Sequence, residues 1–253
     1  MSTVVSIVIP TYRSGPFIRE TLASIRSQTY PSIETILVDD GSPDDTVSIC
    51  RDLPGPLVLR EQPNAGRGAA RNRGLHTASG ELIAFLDHDD LLTPTSVEKR
   101  VRYLEDHPEV GWVFTDAVEF DETGDLRLYL HRFRWLNMSR DPFVQLLRGI
   151  YPLTSTVMAR REVLDRAGGF REELRYGEDI DLFLKLALIS PVGMLPDPLT
   201  RRRIHPDQGN KSSFDRWDSR VRIFGDFRPV AGEPTPHQRR ALCSALRHAH
   251  FKL

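Results

Sequence analysis

Leu82 to Leu86 is an unbroken apolar run that leads straight into Asp87-His88-Asp89-Asp90. It is far short of the roughly 20 residues a membrane span needs. The run predicts a strand buried on both faces, the kind found inside parallel sheets that helices cover on both sides. Three carboxylates at its mouth repel one another, so something must offset them. In a chain still extended there, residues i and i+2 point the same way, which sets Asp87 and Asp89 on one side and turns His88 away. Two hard oxygen donors on one side suit Mg2+ or Mn2+, with water and substrate phosphate filling the other positions. The competing expectation is an acidic loop capping the next helix, with Thr93 as N-cap and Pro94 at the first helical position. Capping alone does not need three acids.

The sequence before this run alternates strand and helix. Val4 to Pro10 is a first strand, and Pro16 opens a helix with Ile18, Leu22 and Ile25 on one face. Glu34 to Asp39 is a second strand. Ser42, Pro43 and Asp45 then look like the capped start of a helix that ends before Pro54. Leu57 to Arg60 is a third strand, Gly66 to Ala78 a helix of small residues, and Thr93 to His107 a helix after the fourth strand. Short connections make these strands parallel with right-handed crossovers. Beyond residue 107 the pattern changes. Strands are expected at Val110–Phe120, Leu126–Leu130 and Leu199–Ile204, and helices at Asp141–Arg148, Arg161–Ala167, Ile180–Ile189 and Gln238–Lys252. Asn210 to Pro236 is polar and gives no assignment.

With 253 residues and a formal net charge of −1, the chain has no reason to attract nucleic acid or anionic membrane broadly. Cys50 and Cys243 form neither a metal spacing nor a disulfide framework, which favours a reducing compartment. The first residues lack the basic flank and cleavage site of a signal peptide. The expectation is a cytoplasmic protein without a transmembrane segment, free to meet a substrate held at a membrane surface.

Ligands of open parallel sheets bind outside the carboxyl ends of the strands. Thr11 and Tyr12 follow the first strand, Asp39 and Asp40 the second, Asp87 and Asp89 the fourth. A carboxylate after the second strand is placed to accept from a ribose hydroxyl or a base N–H; the alternative is that Asp39 and Asp40 only cap the turn. The run Asn64 to Gly74 is neither a dinucleotide fingerprint nor a Walker loop. Its small residues allow close helix–sheet packing. Arg71, ahead of Arg67 and Arg73, is the arginine most able to reach a phosphate bidentately.

Val5-Ser-Ile-Val-Ile-Pro-Thr-Tyr12, Ser27-Gln-Thr-Tyr30, Glu34 to Ser42, Asn64 to Gly74 and Phe85 to Asp90 together resemble the family 2 glycosyltransferases, in order and spacing. The resemblance is tight over residues 3 to 107, with further matches near 177 to 186 and 201 to 209. It implies a GT-A fold, an α/β architecture with a Rossmann-like, mostly parallel sheet flanked by helices. It also implies a nucleotide-diphosphate sugar donor, a UDP-sugar favoured, with Mn2+ or Mg2+ and a saccharide or glycoconjugate acceptor, as in polysaccharide biosynthesis. Residues 1–107 would be the nucleotide-sugar-binding half, 108–236 the acceptor-binding and catalytic half, and 237–253 a helical tail.

Carried over by residue, Pro10, Thr11, Tyr12, Asp39 and Asp40 would line the donor, with Arg71, Asp87, His88 and Glu178 beside it. Asp89 would bind the metal most directly, with Asp87 the other member of the Asp-x-Asp pair. Tyr176-Gly-Glu-Asp-Ile-Asp-Leu182 resembles the family's Glu-Asp motif and puts the catalytic base at Asp179; helix capping is the alternative use of these acids. Arg203-Ile-His205-Pro resembles the segment whose histidine completes the metal site, and a hard metal with two carboxylates has room for His205. The triplet Arg201-Arg202-Arg203 reads more as a solvated strand face than as a phosphate clamp. Acceptor choice is expected within 125 to 175 and 205 to 235. Two competing functions are an aspartyl-nucleophile phosphatase, in which Asp87 attacks phosphorus, and a nucleotide-sugar sensor with a dead site.

Overall fold

The apolar run at residue 82 becomes an inner strand of one mixed sheet, nine-stranded among the described residues. The computed structural model describes residues 2–130, 141–206, 208, 213–230 and 232–253. The chain first builds β1 (Val5–Thr11), α1 (Ile18–Arg26), β2 (Ile33–Asp39), α2 (Thr46–Asp52), β3 (Val58–Glu61), α3 (Arg67–Thr77) and β4 (Leu82–Phe85). These strands lie in the order β3-β2-β1-β4 and every adjacent pair is parallel. Side chains alternate between two cores. Val5, Ile7, Ile9, Leu82, Ala84 and Leu86 pack on one side; Val8, Ile83 and Phe85 pack on the other. That is why the run at residue 82 has no polar face. On the second side α3 comes close to β1, because at Gly74 any side chain would collide with Val8.

The remaining elements are β5 (Leu91–Leu92), α4 (Ser96–Asp106), β6 (Trp112–Asp121), β7 (Gly124–Leu128), α5 (Pro142–Leu147), β8 (Val157–Arg160), α6 (Arg161–Ala167), α7 (Glu178–Ile189), β9 (Val192–Arg203), α8 (Ser213–Gly225) and α9 (Pro236–Lys252). The sheet continues from β4 as β8-β6-β9-β5, with β7 turned back on β6. One sheet therefore runs through both parts of the chain. No helix among the described residues is long and apolar enough to cross a membrane.

Four local expectations are corrected. Ser42 does not cap α2: its hydroxyl accepts from the Arg13 N–H (3.0 Å), and Asp44, two residues on, takes up the Thr46 N–H and hydroxyl. Thr93-Pro94 does not start α4, because Leu91–Leu92 pairs with β9 and the Thr93 hydroxyl donates to the Leu199 carbonyl. The Gln28 side chain, from the end of α1, accepts the Val97 N–H that a cap would have satisfied. β8 was not expected at all. Four residues carry too little pattern to announce a strand, yet β8 joins β4 to β6, antiparallel to both. Arg160 and Arg161, at its end, donate to the carbonyls that close α4 and α3. Finally, the unassigned stretch contains α8; residues 131–140, 207, 209–212 and 231, which belong to the expected acceptor segments, lie outside the described residues.

Candidate functional site

The strand ends meet where the first half was expected to bind its ligand. Thr11 and Asp39 end β1 and β2 side by side, with the Thr11 hydroxyl donating to the Val38 carbonyl at 3.2 Å. Asp39 accepts the Ser42 N–H at 2.9 Å and is almost fully buried. Pro10 is buried inside β1, and Tyr12 is exposed beyond it, with the Arg13 guanidinium over its ring. Asp40 is committed elsewhere. Its two oxygens accept from the Gln62 amide and from the backbone N–H groups of Ala65 and Gly66, all within 2.9 Å. Asp40 thus fixes the loop that opens α3.

Beyond β4 the chain does not stay extended. Residues 87–90 form a turn in which the Asp90 N–H donates to the Asp87 carbonyl, so the same-side rule for i and i+2 fails here. The carboxylates engage separate partners. Asp87 pairs with Arg71 at 2.7 Å, and Asp89 lies 3.0 Å from His205 Nε2. The His88 carbonyl accepts from the Thr21 hydroxyl. Asp90 organises the turn: it accepts from the Ser155 hydroxyl at 2.6 Å and from the Arg203 N–H at 3.0 Å. Ser155 in turn accepts the Asp87 N–H. Burial, then the charges of Asp89 and Asp87, push the Asp90 carboxyl well above its usual range.

Arg71 is the hinge-pin of the site. Its side chain is 2% exposed and donates to Asp87 and, at 2.8 Å, to Glu178, also 2% exposed. Burial alone would lower the guanidinium; Asp87 and Glu178 outweigh it and hold Arg71 above its ordinary value. Asp87 is held below the usual carboxylate range, since Arg71 overcomes the effect of burial. Glu178 moves the other way, pushed up by burial and then by Asp179. Asp179 is half-buried at the first turn of α7, one residue on, and accepts the Ile180 N–H. Asp181, the third acid of that turn, points away into an ion pair with Lys185.

Among the described residues, no three His, Cys, Asp or Glu side chains converge as a ready metal cage. The donors present nevertheless fit a hard divalent ion. Asp89 and His205 lie together, and His205 Nδ1 is buried without a hydrogen-bond partner. A carboxylate and an imidazole leave room for water and phosphate oxygens. Phe17 packs on the His205 ring at 4.5 Å. The arginine triplet is ion-paired, and only Arg203 is largely enclosed: Arg201 pairs with Asp125, Arg202 with Glu119 and Arg203 with Glu20. Sequence reasoning missed Ser155, Phe17 and the supporting part of Arg203. Nothing local marks Ser155, which arrives from 65 residues beyond Asp90 on an unexpected turn.

The family model described as "Glycosyl transferase family 2" matches residues 6–168. The amylovoran biosynthesis glycosyltransferase AmsE of Erwinia amylovora is 33% identical over 201 residues, covering 77% of this chain and 73% of its own length. Some relatives are much longer: the chain spans 35% of an uncharacterized glycosyltransferase of Rickettsia conorii, at 31% identity over 83% of this chain. Among solved structures, S. aureus TarS in complex with UDP-GlcNAc superposes with a TM-score of 0.78 at 21% identity, over 99% of this chain and 73% of that one. The mannosyltransferase PcManGT of Pyrobaculum calidifontis, in complex with GDP-Man and Mn2+, gives 0.72 at 24% identity, over 100% and 74%. At such identities the structural likeness speaks for the fold.

Proposed function

The chain belongs to glycosyl transferase family 2 and carries the GT-A fold, and we propose that it moves a sugar, with inversion, from a nucleoside-diphosphate donor to a hydroxyl of a saccharide or glycoconjugate. A UDP-sugar is the favoured donor, and the cytoplasm the favoured setting. The observation that carries this reading is the Arg71 bridge. It ties Asp87, at the donor side of the sheet, to Glu178, the neighbour of Asp179. That bridge supports a donor seat and an acceptor base close to one another.

In this reading Thr11, Tyr12 and Asp39 hold the nucleoside. Asp89 and His205, with Asp87 adjacent, would hold Mn2+ or Mg2+, which when bound supplies positive charge against the departing nucleoside diphosphate. Asp179 takes the proton from the acceptor hydroxyl as its oxygen attacks the anomeric carbon. A single base suffices, unlike the carboxylate pair of a glycosidase. Arg71 keeps Asp87 ionised and fixes Glu178, so that the charge next to Asp179 does not drift. Asp87 is thereby occupied, which disfavours its use as a phosphatase nucleophile.

The test is a thermal-shift series with UDP, GDP, dTDP and CDP, each with Mn2+ and with chelator. Stabilisation should grow with ligand concentration for one base, and only with metal. Equal response to all four, or none, would sink the donor assignment.

A further inference from the structure

The turn that carries Asp179 is covered by α8. Gly177 has φ +77°, and a side chain there would meet Ile223 at 2.6 Å, so glycine lets α8 lie directly against this turn. Residues three apart on a helix share a face. Arg220 therefore sits one turn before Ile223, on the side of α8 that looks toward the start of α7. Its guanidinium lies 4.5 Å from the ring centroid of Trp217 and 5.6 Å from that of Tyr151. Tyr151 is itself close to the base. Burial pushes its phenol up to about 12; the Arg220 cation opposes this and the Asp179 carboxylate adds to it.

Five other arginines about the cleft are already matched, whereas Arg13 and Arg175 lie over Tyr12 and Tyr176, away from Tyr151. Arg67, Arg71, Arg171, Arg202 and Arg203 each have a carboxylate within 3.5 Å. Arg220 has no carboxylate partner among the described residues; it lies against the two rings and hydrogen-bonds the Tyr151 side chain. A guanidinium carries five N–H donors in a fork, so the bond to Tyr151 leaves donors that match the oxygens of a carboxylate or phosphate. An anionic acceptor would also be repelled by Asp179, and a cation alongside offsets that repulsion.

Resting on Asp179 as the acceptor base, we propose that Arg220, held between Tyr151 and Trp217, binds an oxyanion of the acceptor. The acceptor is then a negatively charged saccharide, with a phosphate or carboxylate near the hydroxyl that receives the sugar.

The test titrates the whole chain, with Mn2+, against glucose 6-phosphate, glucuronate and glucose. Binding is read by tryptophan fluorescence, with Trp217→Phe as the blank, and by saturation-transfer NMR. At least one anionic probe should bind about tenfold tighter than glucose, the worth of one charged hydrogen-bond pair. The two anionic arms tell phosphate from carboxylate. Arg220→Gln should erase the preference, and Arg220→Lys should keep only part of it because ammonium lacks the fork. Equal binding of charged and neutral probes, binding of none of them, or a preference that survives Arg220→Gln overturns the proposal. Binding of UDP, GDP, dTDP and CDP is measured in the same samples. Intact nucleotide binding without a charge preference sinks this proposal alone, whereas a wild-type chain that binds none of the four sinks the glycosyltransfer reading beneath it. Nucleotide binding also shows that each variant is folded.

Discussion

The first 107 residues and the remainder of the chain reach one site by different routes. In the first part, the strands pair in parallel with one another, and the polar residues that matter sit directly at strand ends. In the second part, contacts are made across long separations. Asp89 meets His205 116 positions later, and Arg71 meets Glu178 107 positions later. Under the proposed function this becomes a division of labour: one half would seat the donor, and a half assembled by tertiary packing would supply the chemistry.

The sharpest way to break that division is at Asp179. Asp179→Asn should lower turnover by about 10²–10⁴-fold, the worth of a positioned acid–base group, while the nucleotide thermal shift stays intact. Near-normal turnover, or lost nucleotide binding, would end it. The next largest effect belongs to the residue that joins the halves. Arg71→Met strands Glu178 and Asp87 without their cation and should cost about 3–5 kcal/mol in urea unfolding; a loss under about 1 kcal/mol would mean that the bridge does not hold the halves together. Ser155→Ala should be milder, about 1.5–3 kcal/mol, because it removes one donor from the buried Asp90. It should also weaken metal-dependent nucleotide binding through the turn, and an unchanged affinity would separate the turn from β8.

The smallest effect concerns the two thiols, one in each half. Burial pushes Cys50 in α2 up to about 11 from 9.0, while Cys243 in α9 is exposed. On unfolding, Cys50 releases its proton at lower pH than in the folded chain. Its contribution to stability is whole below about pH 9 and fades as pH rises toward 11, by less than about 1.4 kcal/mol per pH unit. Cys50→Ala should flatten that decline in pH-dependent melting. Alkylation at pH 8 should label Cys243 and spare Cys50.

The same contrast explains what was legible beforehand. The apolar run at Leu82, the alternation before it and the acids at strand ends are short-range patterns, and they read true. What failed depended on distant chain. The Thr93 cap lost to a pairing with β9, and Ser42 lost to Arg13. The expectation that Asp87 and Asp89 face one way assumed an extended backbone, which the 87–90 turn abolishes. β8 was invisible because four residues show no period, and the bracing role of Asp40 had no local signal because the loop it holds lies 22 to 26 positions away. Arg220 had no signal at all; only the packing of α8 against Gly177 gives it a place.

The single guanidinium that joins Asp87 to Glu178 has a mechanical consequence. A clamp at the cleft's floor leaves little freedom there for breathing. Opening and closing, as one substrate is admitted and another released, falls to elements that this clamp does not hold. Catalytic spacing would then stay constant through the cycle while access varies.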